Sequence, residues 1–300
     1  MVNVILEIKN VSKKYGKRKI IDGLSLKVEE GQIYGFLGPN GAGKTTTIKM
    51  ITGLVSLDSG NILINNYDIK KDYKKAMENV GAIVESPDLY DYLTGKENIN
   101  MFARIRNVRK DKVDEIIKLV GLEDRINDKV KKYSLGMKQR LGLAVVLLHK
   151  PKLLILDEPT NGLDPSGIKD MRNLLKNLAH KKDVSIFVSS HMLNEMQLLC
   201  DKIAIIDKGK IVKVDDVVKK EGDLYYFKVG NNLAAIKALN KVFKCYEEDK
   251  KIVIEYDKNI SNIVKILVEN GIEIIEFGKK QDTIEQEFLK TTGGMKDESN

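Results

Sequence analysis

The segment Gly38-Pro-Asn-Gly-Ala-Gly-Lys44-Thr45 has the spacing G-x-x-x-x-G-K-[ST]. It stands between a short apolar run, Ile33 to Leu37, and a stretch with helical spacing. A strand that feeds a glycine-rich turn and then a helix is the opening unit of a parallel α/β sheet, so this segment restricts both fold and ligand. Backbone amides of such a turn, with the positive end of the helix dipole behind them, form a phosphate cradle. Gly38, Gly41 and Gly43 let the backbone approach the phosphate closely. Pro39, Asn40, Ala42 and Thr46 belong to the same loop and first helical turn and are assigned to the nucleotide with it. Lys44 is expected to reach the β- and γ-phosphates, and the Thr45 hydroxyl to bind Mg2+.

The rest of the first two thirds repeats the alternation of apolar strands and amphipathic helices. Strands are predicted over Leu6 to Lys9, Ile33 to Leu37, Val80 to Val84, Leu153 to Asp157, Val184 to Ser189 and Ile203 to Asp207. From Thr94 to Val120 helical spacing takes over, which reads as a helical insertion into the α/β domain. The pattern thins after Ile211 to Val214, and a second series of elements begins beyond the charged segment Asp215 to Asp223. That series reads as strands Leu224–Val229, Val242–Tyr246, Lys251–Tyr256 and Ile272–Phe277, with helices Leu233–Asn240 and Ser261–Asn270. The order βαββαβ predicts a ferredoxin-like α+β domain. The domains are therefore expected over 1–218 and 219–292. A last helix is expected over Thr283 to Thr291, with a polar, disordered end at 293–300.

A second candidate for chemistry is Leu153-Leu-Ile-Leu-Asp157-Glu158, an apolar strand that delivers two carboxylates at its C-terminal end, where open α/β sheets bind ligands. An acid pair in that position is often only a helix cap or a solvated turn. Beside a phosphate loop it acquires a use: Asp157 to hold magnesium through water, and Glu158 to take the proton of the attacking water as general base.

Three further segments, Ser134-Leu-Gly-Met-Lys-Gln139, Asn161-Gly-Leu-Asp164 and Ser189-Ser-His191, stand in an order that resembles the ATP-binding cassette ATPases. The resemblance covers residues 1 to about 218. It implies that Ser134 and Gly136 bind the γ-phosphate of ATP held by a second subunit, that Asp164 lies at the dimer interface, and that His191 contacts the γ-phosphate. Tyr15 matches the aromatic on which adenine stacks. His149 and His180 lack such a context and are expected at solvated helix ends.

At one position the chain departs from the wider family: the loop after Val80-Gly-Ala-Ile-Val opens with Glu85, where glutamine is usual. Glu85 is then either a magnesium ligand equivalent to glutamine or a third negative charge that raises the proton affinity of Glu158. Glu85 with Ser-Pro-Asp-Leu-Tyr after it, and Tyr133-Ser-Leu-Gly-Met-Lys-Gln-Arg140, is similar to a narrower branch containing ATPases of bacitracin and lantibiotic-immunity exporters. That branch implies an ATPase subunit that pairs with a second copy of itself and powers a separate membrane permease.

Composition limits the other classes. The longest apolar run, Leu141 to Leu148, falls far short of the ~20 residues that span a bilayer. An acid already at Glu7 interrupts any signal-like core. Cys200 and Cys245 have no metal-ligand spacing and are expected to be buried small hydrophobes. These features predict a cytoplasmic protein, and the branch resemblance implies a peripheral position on the inner face of the membrane through its permease. Of the net charge of +8, residues 221–300 carry 12 basic and 15 acidic side chains, so the body before them is strongly basic. Such charge suits polyphosphates, anionic membranes or nucleic acid alike. The alternative function, a soluble cassette ATPase acting on nucleic acid or the ribosome, is disfavoured: aromatics make up only 6% with no Trp, and no heptad run is present. No direct nucleic-acid partner is expected. The tail domain fits a regulatory module and a passive appendage equally.

Overall fold

The computed structural model describes residues 3–182, 184–217, 223–240, 242–256, 260–279 and 288. In it the chain divides into two units between Val217 and Val218. The first opens with two long strands, β1 (Val4–Tyr15) and β2 (Arg18–Glu29), paired antiparallel. There follow β3 (Ile33–Leu37), α1 (Lys44–Ile51), β4 (Ser59–Ile64), β5 (Tyr67–Asp68), α2 (Tyr73–Met77) and β6 (Val80–Ile83). Two helices, α3 (Gly95–Ile105) and α4 (Lys110–Leu119), occupy the predicted insertion. The unit continues through α5 (Leu135–Leu147), β7 (Leu153–Asp157), α6 (Pro165–Lys182) and β8 (Ser185–Ser190). It closes with α7 (Leu193–Leu199), β9 (Lys202–Asp207) and β10 (Lys210–Asp216).

Every residue of β3, β7 and β8 is buried, as expected for strands covered on both faces by other layers. They lie in a sheet of order β10-β9-β3-β8-β7-β6, parallel except for the edge strand β10. A second, antiparallel sheet has the order β2-β1-β4-β5. Its inward residues Ile8, Val11, Leu24 and Ile62 share a core with Phe36, Ile48, Ile155 and Phe187. The sequence reading found only four residues of this second sheet. Its strands alternate buried with exposed residues, and β1 and β2 are broken by register shifts that disturb the period of two.

In the parallel sheet, register decides function. Leu37 pairs with Ser190, Asp157 with Ser189, and Ile83 with Leu156. Neighbouring strands lie about 4.8 Å apart, so the residues following β3, β8, β7 and β6 all leave the same edge within about 15 Å.

The second unit contains β11 (Asp223–Val229), α8 (Asn232–Leu239), β12 (Cys245–Glu248), β13 (Lys251–Tyr256), α9 (Ser261–Glu269) and β14 (Ile274–Lys279). Its antiparallel sheet has the order β12-β13-β11-β14, with β13 between the two strands joined by α8, a split βαβ arrangement. Phe227, Leu239, Ile252, Ile254, Ile263 and Leu267 form its own core. Two strands start later than predicted. The amides of Val242 and Phe243 still donate to the Leu239 carbonyl, so the chain stays curled at the end of α8 until Cys245. Ile272 donates to Leu267 across Gly271 (φ 67°), a helix-ending turn that postpones β14 to Ile274. The expected helix at 283–291 (apart from Phe288) and the polar end at 293–300 lie outside the described residues.

Because the second unit owns a core, deletion of residues 222–300 is expected to leave a folded, ATP-binding first unit. Thermal melts with and without Mg-ATP check this. A truncated chain recovered only as aggregate would show that the first unit depends on the second.

Two smaller expectations are corrected. His149 is not solvated: its Nε2 lies 2.8 Å from the Val80 carbonyl, and burial lowers its pKa. Cys245 is half-buried, with its thiol donating to Asn240 Oδ1, whereas Cys200 is buried as expected and burial raises its pKa.

Candidate functional site

The glycine-rich loop leaves β3 and packs tightly against β9. A Cβ on Gly38 would stand 2.4 Å from the Ile206 carbonyl oxygen, and one on Gly43 (φ 110°) 2.5 Å from Ile21 Cδ1. The Ile206 carbonyl is backbone and cannot give way, so a side chain at Gly38 would push the loop off the sheet, while at Gly43 the positive φ itself disfavours any side chain. Gly43 is also the N-cap of α1, which leaves the first amides of that helix to face whatever the loop encloses.

Lys44 is 5% exposed and turns back over the loop. Its ammonium donates to the carbonyls of Gly38 (2.8 Å) and Pro39 (3.2 Å) and pairs with Glu158 Oε1 at 3.2 Å. Three partners use all three of its protons. Glu158 in turn holds His191 Nδ1 at 2.9 Å from its other oxygen. One contact chain thus joins the residues following β3, β7 and β8, three neighbouring strands. Glu158 reaches this position in a left-handed backbone conformation (φ 48°), which costs a non-glycine residue about 1–2 kcal/mol. Its amide is secured by the Ser189 carbonyl (3.2 Å) and Ser189 Oγ (3.1 Å).

Asp157 is buried, and its Oδ1 accepts a 2.5 Å hydrogen bond from Ser189 Oγ. Ser189 thereby orients the Asp157 carboxylate and holds the backbone of Glu158, a role the sequence reading did not give it. The signal was available: Ser189 is the register partner of Asp157 across two buried parallel strands. Glu85, just past β6, also has a left-handed backbone (φ 67°). Its carboxylate is not a bare third negative charge, because Oε1 lies 2.7 Å from Lys49 Nζ. Lys49 was not singled out from sequence either, although it stands four residues after Thr45 and so shares its helix face. The Glu85 hydrogen bond, reinforced by the charge on Asp157, raises the pKa of Lys49. Tyr15 closes β1 with its ring 52% exposed and Lys13 Nζ 5.6 Å from the ring centre.

The remaining predicted residues form a second cluster. Ser134 is exposed and caps α5, accepting from the Met137 amide at 3.3 Å. The Leu135 side chain lies 3.0 Å from the Cβ position of Gly162, and the Leu163 side chain 3.7 Å from that of Gly136. Asp164 caps α6, where Pro165 takes the first helical position and Asp164 Oδ1 accepts from the Gly167 amide. The Asn161 amide donates to the Glu158 carbonyl (3.1 Å), but among the described residues no side-chain hydrogen bond or ion pair links Ser134 or Asp164 to Lys44, Glu158 or His191.

Chemically, the first cluster places a lysine and helix amides for phosphate beside a carboxylate–histidine pair able to position a water and accept its proton. Thr45, Glu85 and Asp157 add only oxygen donors, the set that suits a hard cation. Among the described residues, no group of three or more His, Cys, Asp and Glu is arranged to hold a metal alone.

A family model described as "ABC transporter" matches residues 21–161. The chain is 47% identical over 302 residues to an uncharacterized ABC transporter ATP-binding protein, YhcH of Bacillus subtilis, covering 99% of each. It is 40% identical over 302 residues to the bacitracin transport ATP-binding protein BcrA of Bacillus licheniformis, covering 98% of this chain and 99% of that one. Among solved structures, cbiO1 from Clostridium perfringens, part of the ABC transporter complex cbiONQ, superposes with a TM-score of 0.67 at 27% identity, over 72% of this chain and 89% of that one. A nucleic-acid or ribosome ATPase finds no support in these relatives. With full-length likeness on both sides and the phosphate loop, the carboxylate–histidine pair and the insertion in place, the chain belongs to the ATP-binding, ATP-hydrolysing proteins of ABC transporters.

Proposed function

We propose that the chain is the ATPase subunit of a transporter that exports, or confers resistance to, antimicrobial peptides such as bacitracin or lantibiotics. The observation that carries the ATPase site is the Lys44–Glu158–His191 contact chain at the ends of three adjacent strands. The peptide cargo is supported by the full-length likeness to BcrA and by the Glu85 loop. A triphosphate entering the loop offers Lys44 acceptors stronger than its present ones, so Lys44 exchanges Glu158 for phosphate. Glu158, still held by His191, is then free to orient water and take its proton, while Thr45, Glu85 and Asp157 hold the metal. Mg2+, when bound, supplies neutralisation of charge on the β- and γ-phosphates.

Ser134 faces solvent at the start of α5 with Gly136 half-buried beside it, away from this chain's own phosphate loop contacts. That supports a pair of copies in which each signature segment completes the other's site, with Asp164 at the junction and Tyr15 stacking on adenine. Loss of the γ-phosphate removes contacts of Lys44, His191 and the second copy's signature together, so the pair opens. No helix among the described residues is long and apolar enough to cross a membrane, which supports a separate permease and a cytoplasmic position against it. A cleft of about 510 Å3 lies beside the Glu85 loop, lined by Leu54, Val84, Pro87, Leu89, Phe102 and Val145 among others. It supports transmission to the permease through residues 85–93 and α3. Gly142 belongs to its wall because a Cβ there would meet Pro87 at 2.4 Å.

The test is a strain lacking the chain, challenged with bacitracin, a lantibiotic and an unrelated antibiotic. Lost tolerance to the peptides alone, restored by the parent gene and not by Glu158→Gln, is the expected result; unchanged tolerance to both peptides overturns the cargo. Phe102→Asp is expected to keep ATPase activity of the isolated chain within about twofold while the permease no longer co-purifies, since a charge in an apolar contact costs several kcal/mol. Undiminished co-purification would move the docking site elsewhere.

A further inference from the structure

Two carboxylates of the site share an unusual pair of features. Glu158 and Glu85 follow the adjacent strands β7 and β6, both in left-handed backbone conformations (φ 48° and 67°), and each is held by a lysine of the loop–helix segment, Lys44 and Lys49. Lys44 has an assigned task on phosphate. Lys49 has none. It stands one helical turn beyond Thr45, with its ammonium 2.7 Å from Glu85 Oε1. A second cation on the Glu85 carboxylate would be repelled by that ammonium, so Lys49 and Mg2+ compete for it. A non-glycine residue at φ 67° persists only where its surroundings hold it, and among the described residues the side-chain hydrogen bond of Glu85, whose side chain is 65% exposed, is the one to Lys49.

We infer that Lys49 is a positioning residue that holds Glu85 and its loop away from the metal, so that metal loading and release of the loop from Glu85 to Leu93 are one coupled exchange. This rests on Glu85 as a metal ligand. It links the occupancy of the site to the segment proposed to face the permease. The bland role is that of a cation near the C-terminus of α1, which complements the helix dipole. The two roles separate in experiment, because a dipole partner affects the melting temperature and not the metal.

The test is a Mg2+ titration of ATP binding, followed by a fluorescent ATP analogue, on the full chain and on Lys49→Met, Glu85→Gln, the double variant and Lys49→Arg. Methionine is a good helix former at this half-exposed position, and Lys49→Arg keeps the charge should the methionine variant prove unstable. Lys49→Met is expected to lower the Mg2+ concentration for half-saturation about two- to fivefold, the range open to a partly exposed ion pair. It should leave ATP affinity in EDTA unchanged. In the Glu85→Gln background the same substitution should have less than half that effect on a logarithmic scale, and Lys49→Arg should behave like the parent. Amide exchange over residues 85–93, measured without nucleotide, should be faster in Lys49→Met. An unchanged half-saturation with a shifted melting temperature, or an equal effect in both backgrounds, overturns the positioning role. A parent whose ATP affinity is the same in Mg2+ and in EDTA overturns the metal assignment itself.

Discussion

Glu158→Gln is expected to bind Mg-ATP with the affinity of the parent and to lose about 100- to 10,000-fold in turnover, the range that general acid–base catalysis supplies. The amide fills the same space and can still accept from His191, but it cannot take a proton from water. It also removes the negative partner of Lys44, so the lysine loses nothing that the triphosphate does not replace. With hydrolysis stopped, the ATP-bound pair has no event to open it, and a dimer should accumulate on a sizing column with Mg-ATP and disperse in EDTA. Turnover within about threefold of the parent would remove Glu158 as the base. Loss of ATP binding would instead mean that the Glu158 charge is needed to pose Lys44.

Lys44→Ala and Ser134→Arg should each abolish activity alone and complement each other when mixed. Lys44 supplies a charge-assisted bond to phosphate, and a large cation at Ser134 would block the exposed start of α5 without disturbing the parent's own phosphate loop. In a mixed pair, one site keeps an intact loop facing an intact signature. Random pairing of equal amounts makes half of the pairs mixed with one good site each, so about a quarter of parental activity is the ceiling if sites act independently. If mixed pairs form and restore nothing, Ser134 does not act across the interface, and its hydroxyl is only the helix cap seen in the structure.

Residues whose chemistry is local are the most legible in the sequence. The loop from Gly38 to Thr45 carries its own glycines, lysine and helix start, so its ligand class is legible without any tertiary partner. Strands such as Ile33–Leu37 and Leu153–Asp157 were legible to the residue because burial on both faces leaves an unbroken apolar run bounded by polar residues. The antiparallel sheet was not: its strands are half-exposed, its long strands β1 and β2 are bulged, and a period of two interrupted after four residues is hard to tell from loop. The starts of β12 and β14 were missed because the preceding helices end in hydrogen-bonded turns that apolar residues extend.

What the sequence alone determined was therefore an inventory: a phosphate loop, an acid pair after a buried strand, an insertion and a second βαββαβ unit, with a Ser-Leu-Gly segment and a histidine after a strand whose roles rest on resemblance. Which of these groups touch was decided by strand register and backbone conformation. Ser189 reaches Asp157 because β7 and β8 pair in that register, and Glu158 reaches both Lys44 and His191 because its backbone turns left-handed at the strand end. Glu85, read from sequence as either a metal ligand or a third negative charge, is paired with a lysine 36 positions away. The physical reason is one of range: propensity and burial pattern act over a few residues, whereas charge compensation depends on distances through space that only the packed sheet sets.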